Sequence, residues 1–203
     1  MSPYNNETLN TIKKRHSIRT FTDQPVTDEQ IFTLLEAANQ APSAHNQQSW
    51  RFIVLRNIKK QQLADLVSAR ANDFPRPSSA LLRMAARSIQ SAPVVIAVAN
   101  TGELISHGTD LFKVDKEMAY NFFRTMEIQS SAAAVENLLL AATSLGLATV
   151  WLGILYLIKN EVLQLLGEEP TGEFMAVIPI GYACRDTAGP QKLPVEMRVR
   201  FLD

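Results

Sequence analysis

Between Pro93 and Ala99 the chain reads Pro-Val-Val-Ile-Ala-Val-Ala, a run without one polar side chain. A short apolar run rich in β-branched residues is a strand covered on both faces, so the fold must place a layer on each side of it. This predicts a central position in a sheet for 93–99. Phe174–Gly181 is a second apolar run of this kind. Trp50, Phe52 and Val54 alternate with Arg51, Ile53 and Leu55, which predicts a further strand, Trp50–Leu55, with both faces largely covered.

Helical periodicity fills the intervals. Asn6 can cap a short helix carrying Leu9 and Ile12 on one face. Thr27 and Gln30 stand at capping-box spacing ahead of Ile31, Leu34, Leu35 and Ala38, an i, i+3, i+4, i+7 stripe. Leu63, Leu66 and Val67 mark the next helix. Pro75 and Pro77 read as a surface break, and Ser78 and Ser79 as the start of a helix with Leu81, Leu82, Ala85 and Ile89 inward. The strongest helix runs from Ile128 to Leu145, with Gly146 as its C-terminal cap. Asn160–Gly167 is a short capped helix. Between Thr101 and Glu127 the pattern blurs, and Phe112, Tyr120, Phe122 and Phe123 either line a pocket or pack a local subcore. Val195, Met197, Val199 and Phe201 alternate with polar residues, giving an apolar face that must dock somewhere.

Composition narrows the function classes. A chain of 203 residues that is 46% hydrophobic suits one globular domain over 1–203. Lys plus Arg equals Asp plus Glu at 20 each, so no overall field favours nucleic acid. The single cysteine, Cys184, excludes an intrachain disulfide framework, and the three histidines lack metal-ligand spacing, so no metal site is expected. A reducing cytoplasm suits this composition. Met1–Asn10 is polar without an apolar export signal, and no run approaches a membrane span. No dinucleotide glycine fingerprint or phosphate-loop motif occurs, so a nicotinamide cofactor, if used, is a visiting substrate.

Two stretches carry chemistry. Lys13-Lys14-Arg15-His16-Ser17-Ile18-Arg19-Thr20-Phe21 packs four cations, a hydroxyl and an imidazole between apolar anchors. Arg15 and Arg19 offer planar donor forks suited to phosphate or a carbonyl-rich ring, although the same cations would complement a solvated helix C-terminus. Ala41 to Phe52 is a proline-entered run of small polar residues opening into an aromatic strand, either a helix-to-strand loop or a surface facing a ligand.

Arg15-His16-Ser17-Ile18-Arg19-Thr20-Phe21, followed by Ala41-Pro42-Ser43 and Asn46-Gln47-Gln48-Ser49-Trp50, resembles the nitroreductase-like family of flavin mononucleotide (FMN) oxidoreductases. Gly146–Gly153 and Gly189–Pro194 are similar to two further patterns of that family, in family order. Ser49 stands where the family often has proline, implying a less rigid loop, and Pro190 where a second basic residue is common. The resemblance implies an α+β fold, a central mostly antiparallel sheet flanked by helices, in an intertwined homodimer with FMN at the interface. It implies that Arg15, Ser17 and Lys192 hold the phosphate and ribityl chain, with His16 as a neighbour. Arg19 would meet the pyrimidine edge, and so by position would Arg87. Pro42, Ser43, Ala44 and Asn46 would come from the other subunit, and Trp151, Leu152 and Gly153 would close the N5 side. It further implies that 101–127 is a variable substrate-side segment and 189–203 an arm reaching the partner.

The implied activity passes hydride from NAD(P)H to flavin N5 and on to a small electron-poor acceptor, nitroaromatic or quinone, by a ping-pong mechanism. No catalytic side chain is demanded, because the flavin carries the chemistry. A non-catalytic flavin-binding or sensing module, and a dehydrogenase or dehalogenase of the same family, are the alternatives. Nucleic-acid binding through Lys13–Arg19 would require salt-dependent affinity.

Overall fold

Strand β2 (Val94–Asn100) is buried at every position, and its alternating side chains feed two separate cores. Val95, Ala97 and Ala99 face a cluster built with helices α3 (Asn57–Arg70), α4 (Arg76–Ser91) and α7 (Lys159–Leu166). Val94, Ile96 and Val98 face another, built with α2 (Asp28–Asn39) and α6 (Lys116–Ser144). The computed structural model in which this is seen describes residues 6–169, 172–185 and 187–202. The sheet order is β1 (Trp50–Leu55), β2, β4 (Phe174–Gly181), β3 (Ala148–Thr149), with every pairing antiparallel. The expected α+β architecture is therefore present, with helices on both faces.

Local chemistry explains most boundaries. Asn6 caps α1 (Glu7–Lys14) by accepting the Leu9 N–H at 2.9 Å, and Thr27 with Gln30 forms a reciprocal capping box on α2. Gly146, at φ 74, ends α6: its N–H donates to Thr143 O, and that of Leu147 to Ala142 O. Lys60 Nζ closes the C-terminal end of α4 by donating to the Gln90 and Ala92 carbonyls.

The structure corrects several expectations. β1 is an edge strand among the described residues, so Arg51 and Val54 are exposed rather than covered. Pro77 belongs to the first turn of α4, where a missing N–H costs nothing, so the helix begins at Arg76 and not at the serines; Leu81 is exposed. Helix α6 starts at Lys116, a dozen residues before Ile128, capped by Asp115. Its first turns pack on α5 (Glu103–Leu111), whose small interface leaves no long apolar stripe to read. There Phe112 stacks on Phe122 and meets Phe123 edge-on; Phe123 is buried in a small subcore with Leu104 and Ile105, whereas Phe112, Tyr120 and Phe122 are exposed and Tyr120 lines a recess beside α5. Helix α7 lacks a side-chain cap from Asn160. Helix α1 buries no residue, and Ile12 is exposed. The alternation at 195–201 does not form a strand: Val195–Met197 is a 3₁₀ turn, and Leu193, Val195, Met197, Val199 and Phe201 are all exposed on the single chain. No helix is long and apolar enough to cross a membrane among the described residues.

Ile96→Ala removes branched apolar volume from a fully buried site between β2 and the α2/α6 layer. Chemical denaturation should register a loss of about 2–5 kcal/mol, whereas Ile58→Ala, on the exposed start of α3, should stay within about 0.5 kcal/mol.

Candidate functional site

Residues 15–22 form a ribbon beside β3, an arrangement too polar for strand periodicity to reveal. Ser17 makes a parallel bridge with Thr149, and the Ile18 N–H donates to Thr149 O at 2.9 Å. Further on, Phe21 bridges Ala183, and the Thr22 N–H donates to Tyr182 O at 2.8 Å. Phe21 is buried and pins the ribbon to the core. Extended backbone sends alternate side chains to opposite sides, and Ser17 and Arg19 are exposed while His16 and Ile18 are half-buried. Arg19 follows two residues beyond this parallel bridge, as Trp151 does on the neighbouring segment. Arg19 makes no ion pair among the described residues, whereas Arg15 Nε lies 3.9 Å from Glu136 Oε1.

Beyond Trp151, whose indole Nε1–H donates to Met175 O at 3.3 Å, the Leu152 N–H donates to Val177 O, and Gly153 opens a 3₁₀ turn. A Cβ placed on Gly153 would meet nothing within 4 Å. The chain's own packing therefore does not demand glycine there.

Lys14, Arg15 and His16 line a cleft of about 180 Å³ together with Arg185, Thr187 and the 146–149 segment. His16 Nδ1 lies 2.9 Å from Lys14 O, which can only accept, so Nδ1 carries the hydrogen and Nε2, at 3.2 Å, accepts from the Thr187 hydroxyl in the neutral ring. Gly189 passes against His16, where an added Cβ would lie 3.0 Å from His16 Cβ. Lys192 follows on an exposed segment, without a hydrogen bond or ion pair among the described residues. Arg87 stands apart from this group, on α4 in a groove of about 190 Å³ shared with Asp65 and Ser68 of α3.

The second stretch, 41–49, leads from α2 to β1 and is conformationally strained. His45, Asn46 and Gln48 occupy the left-handed region at φ 54, 53 and 52, at roughly 1–2 kcal/mol each for such residues. Side chains hold the loop. Ser43 Oγ accepts the Gln48 N–H at 3.0 Å, and Ser130 Oγ of α6 accepts the Ala44 N–H at 3.1 Å. Pro42 and Asn46 are exposed, Ser43 and Ala44 half-buried. Ser49, where the loop joins β1, is 2% exposed, and its carbonyl accepts the Thr101 N–H at 2.8 Å.

This loop and the ribbon lie diagonally across the sheet. Four inter-strand steps separate β1 from the ribbon in the order β1, β2, β4, β3, ribbon, about 19 Å at the usual spacing. Trp50 pairs with Asn100, whereas Ser17 lies level with Thr149, Ile180 and hence Val94, about 20 Å away along the strands. Among the predicted residues, one chain thus groups Arg15, His16, Ser17, Arg19, Trp151, Leu152 and Gly153, with the 189–192 segment crossing nearby. Pro42, Ser43, Ala44 and Asn46 form a second group.

Two features escaped the sequence reading. One is Arg185, which the ribbon's pairing with 182–184 brings to the cleft. The other is a buried polar cluster beneath the 41–49 loop: Glu127, Ser49, Ser130, Ser131 and Asn100, with the Ser131 hydroxyl donating to Asn100 Oδ1. Glu127 and Ser131 sit a turn apart on the inner face of α6, a signal that starting the helix at Lys116 would have exposed. Burial pushes the Glu127 carboxyl up to about 7, against the opposing pull of the Leu104 N–H and Ser49, with Glu103 and Glu173 adding repulsion. Because that value lies above the ordinary 4.5, the folded chain holds more protons than the unfolded one between those pH values. Stability therefore falls as pH rises through this window and levels off above it. Glu127→Gln should flatten the pH profile of thermal unfolding there and raise stability at pH 8 by up to about 3 kcal/mol.

The profile of the Nitroreductase family matches residues 12–182. A Methanothermobacter thermautotrophicus protein with the provisional name NADH dehydrogenase/NAD(P)H nitroreductase is 31% identical over 198 residues, 94% of this chain and 87% of that one. The FMN reductase (NAD(P)H) of Bacillus subtilis is 26% identical over 196 residues, 94% of this chain and 72% of that one. A nitroreductase with bound FMN from Desulfitobacterium hafniense has a TM-score of 0.72 at 25% identity, covering 98% of this chain and 100% of that one. With the profile matched from the ribbon to the end of the sheet, this chain belongs to the nitroreductase family.

Proposed function

We propose that the chain is an NAD(P)H-dependent FMN oxidoreductase working as a homodimer. The observation that carries this reading is the diagonal split. A flavin laid along the ribbon would be out of reach of the 41–49 loop of its own chain, so a second copy must bring that loop to the ring. Three further features suit the ligand. Among the described residues Arg19 has no carboxylate partner, a Cβ on Gly153 would meet nothing within 4 Å, and the 41–49 loop is held in strained backbone of the sort found at ligand sites.

FMN, when bound, would supply the redox chemistry between NAD(P)H and a small electron-poor acceptor of nitroaromatic or quinone type, the two visiting in turn in a ping-pong sequence. The residues bind and orient. Arg15, Ser17 and Lys192 hold the phosphate and ribityl chain through charge-assisted hydrogen bonds. Arg19 sets a fixed cation at the pyrimidine edge, where reduction accumulates negative charge, and so favours the reduced state. Trp151, Leu152 and Gly153 present backbone to the N5 side, and the lack of a Cβ at Gly153 permits close approach. Pro42, Ser43, Ala44 and Asn46 of the other subunit cover the ring, and the exposed apolar face of 193–201 docks on that subunit.

Freshly purified protein should be yellow and should be bleached anaerobically by NADH or NADPH faster than free FMN. A yellow protein reduced no faster than free FMN would instead indicate a binding or sensing module. The Arg15→Ala/Arg19→Ala double variant should lose FMN on gel filtration, and a folded double variant with stoichiometric FMN would remove these residues from the cradle. Gly153→Val should slow hydride transfer in stopped-flow measurements by about tenfold or more.

A further inference from the structure

Helix α5 begins without a cap of its own. Its N-cap position is Gly102, at φ 76, which has no side chain to accept the free N–H groups of the first turn. The Leu104 N–H donates instead to Glu127 Oε1 at 3.3 Å, so a carboxyl from α6 takes the place of the cap. Ser130 and Ser131 stand three and four residues further along the same face of α6. Ser130 Oγ accepts the Ala44 N–H of the 41–49 loop, and the Ser131 hydroxyl donates to Asn100 Oδ1. One face of α6 thus holds both α5 and the loop through side-chain hydrogen bonds.

Apolar packing adds little there. Leu104, Ile105 and Phe123, with Ala44 and Met126 packed on them, form a small cluster apart from the two large cores that cover β2. The Glu127 carboxyl is fully buried, and its second oxygen has no hydrogen-bond partner among the described residues; nor has Asn100 Nδ2. Glu103 on α5 and Glu173 ahead of β4 add repulsion. The neighbouring cations are engaged by Glu173: Arg124 Nε of α6 lies 2.7 Å from its Oε1 and Lys159 Nζ of α7 3.6 Å from its Oε2, with Tyr156 beside both. His45 of the loop is exposed. A neutral carboxyl tolerates this position, whereas an ionised one needs water or further donors. Burial outweighs the pull of the Leu104 N–H and holds the acid above the usual carboxylate range. Water reaches it most readily by the lifting of the thinly packed α5 and loop, because every other path disrupts the sheet.

We propose that Glu127 is a proton-operated latch: neutral, it holds α5 and the 41–49 loop down on α6, and ionised, it admits water beneath them and releases both without unfolding the sheet. The latch is a property of one chain. Its bearing on the flavin rests on the proposed function, in which this loop covers the ring held by the partner, so that release of the loop opens that ring to solvent.

The test is hydrogen–deuterium exchange of the full-length protein between about pH 5 and pH 8, read by mass spectrometry and corrected for the intrinsic rate, in wild type, Glu127→Gln and Glu103→Gln. In wild type, protection of 41–49 and 103–111 falls together, by about tenfold or more, as pH rises toward 7, and levels off above it, because a carboxyl with a raised closed-state pKa disfavours that state on ionising. Low urea leaves these rates unchanged, the mark of local opening. Glu127→Gln removes the pH dependence. Glu103→Gln, at an exposed position of α5, relieves repulsion and makes the fall smaller and complete at lower pH. Protection that does not vary with pH in wild type, that varies equally in Glu127→Gln, or that is lost only together with that of β2 and in a urea-sensitive manner overturns the proposal. If Glu127→Gln does not fold, Glu103→Gln decides alone, and an unshifted profile overturns it. FMN release, followed by flavin fluorescence over the same range, separates the two readings. Faster release as protection falls supports both; a wild type that exchanges as described but binds no FMN keeps the latch and removes the flavin reading; release at a pH-independent rate keeps the latch and removes the loop from the cover of the ring.

Discussion

Burial of β2 on both faces is the constraint from which the other features of the fold follow. Its odd and even positions enter different cores, so helices must cover the sheet front and back, and neither face has room for an extended ligand. Polar chemistry is displaced to the two lateral margins. On one margin the ribbon 15–22 pairs with the two-residue strand β3; on the other the 41–49 loop turns into β1. β3 is only two residues long, but the chain stays along β4 as far as Leu152, whose N–H bonds Val177 O, and then turns at the exposed Gly153.

Where one physical preference dominated, the sequence disclosed the structure. Trp50–Leu55 and Phe174–Gly181 have the bounds read from apolar patterning, and the Thr27/Gln30 box and the Gly146 terminus follow from local hydrogen bonding. Where tertiary packing decided, the reading failed. The first turns of α6 pack on the short helix α5 and so lack a long stripe; Pro77 was read as a breaker though it sits where a helix tolerates it. Within the site, Arg15–Arg19 was legible because its residue types are concentrated in one short run. Arg185 was not, since nothing local marks it and only pairing across more than a hundred and fifty residues brings it to Lys14 and Arg15. Arg87, chosen by position alone, lies in a different groove.

Glu127 illustrates a second kind of hidden residue. Its carboxyl, buried beside Ser49 and Ser130, accepts the Leu104 N–H of α5 at one oxygen and leaves the other without a hydrogen-bond partner among the described residues. A neutral, hydrogen-bonded acid tolerates such a place, whereas an ionised one opposes it. The strained backbone at His45, Asn46 and Gln48 is held by the Ser43 hydroxyl within the loop and, at Ala44, by the Ser130 hydroxyl and packing on the Leu104–Phe123 cluster.

The diagonal distance between ribbon and loop reaches beyond one polypeptide. On the proposed pairing, each site draws half its wall from either copy, so occupancy obeys mass action and dilution empties sites by separating subunits before any bond to the ligand weakens. Mixing chains damaged only in the ribbon with chains damaged only in the loop would then regenerate one intact site in every mixed pair, a complementation that a self-contained fold of this size could never display.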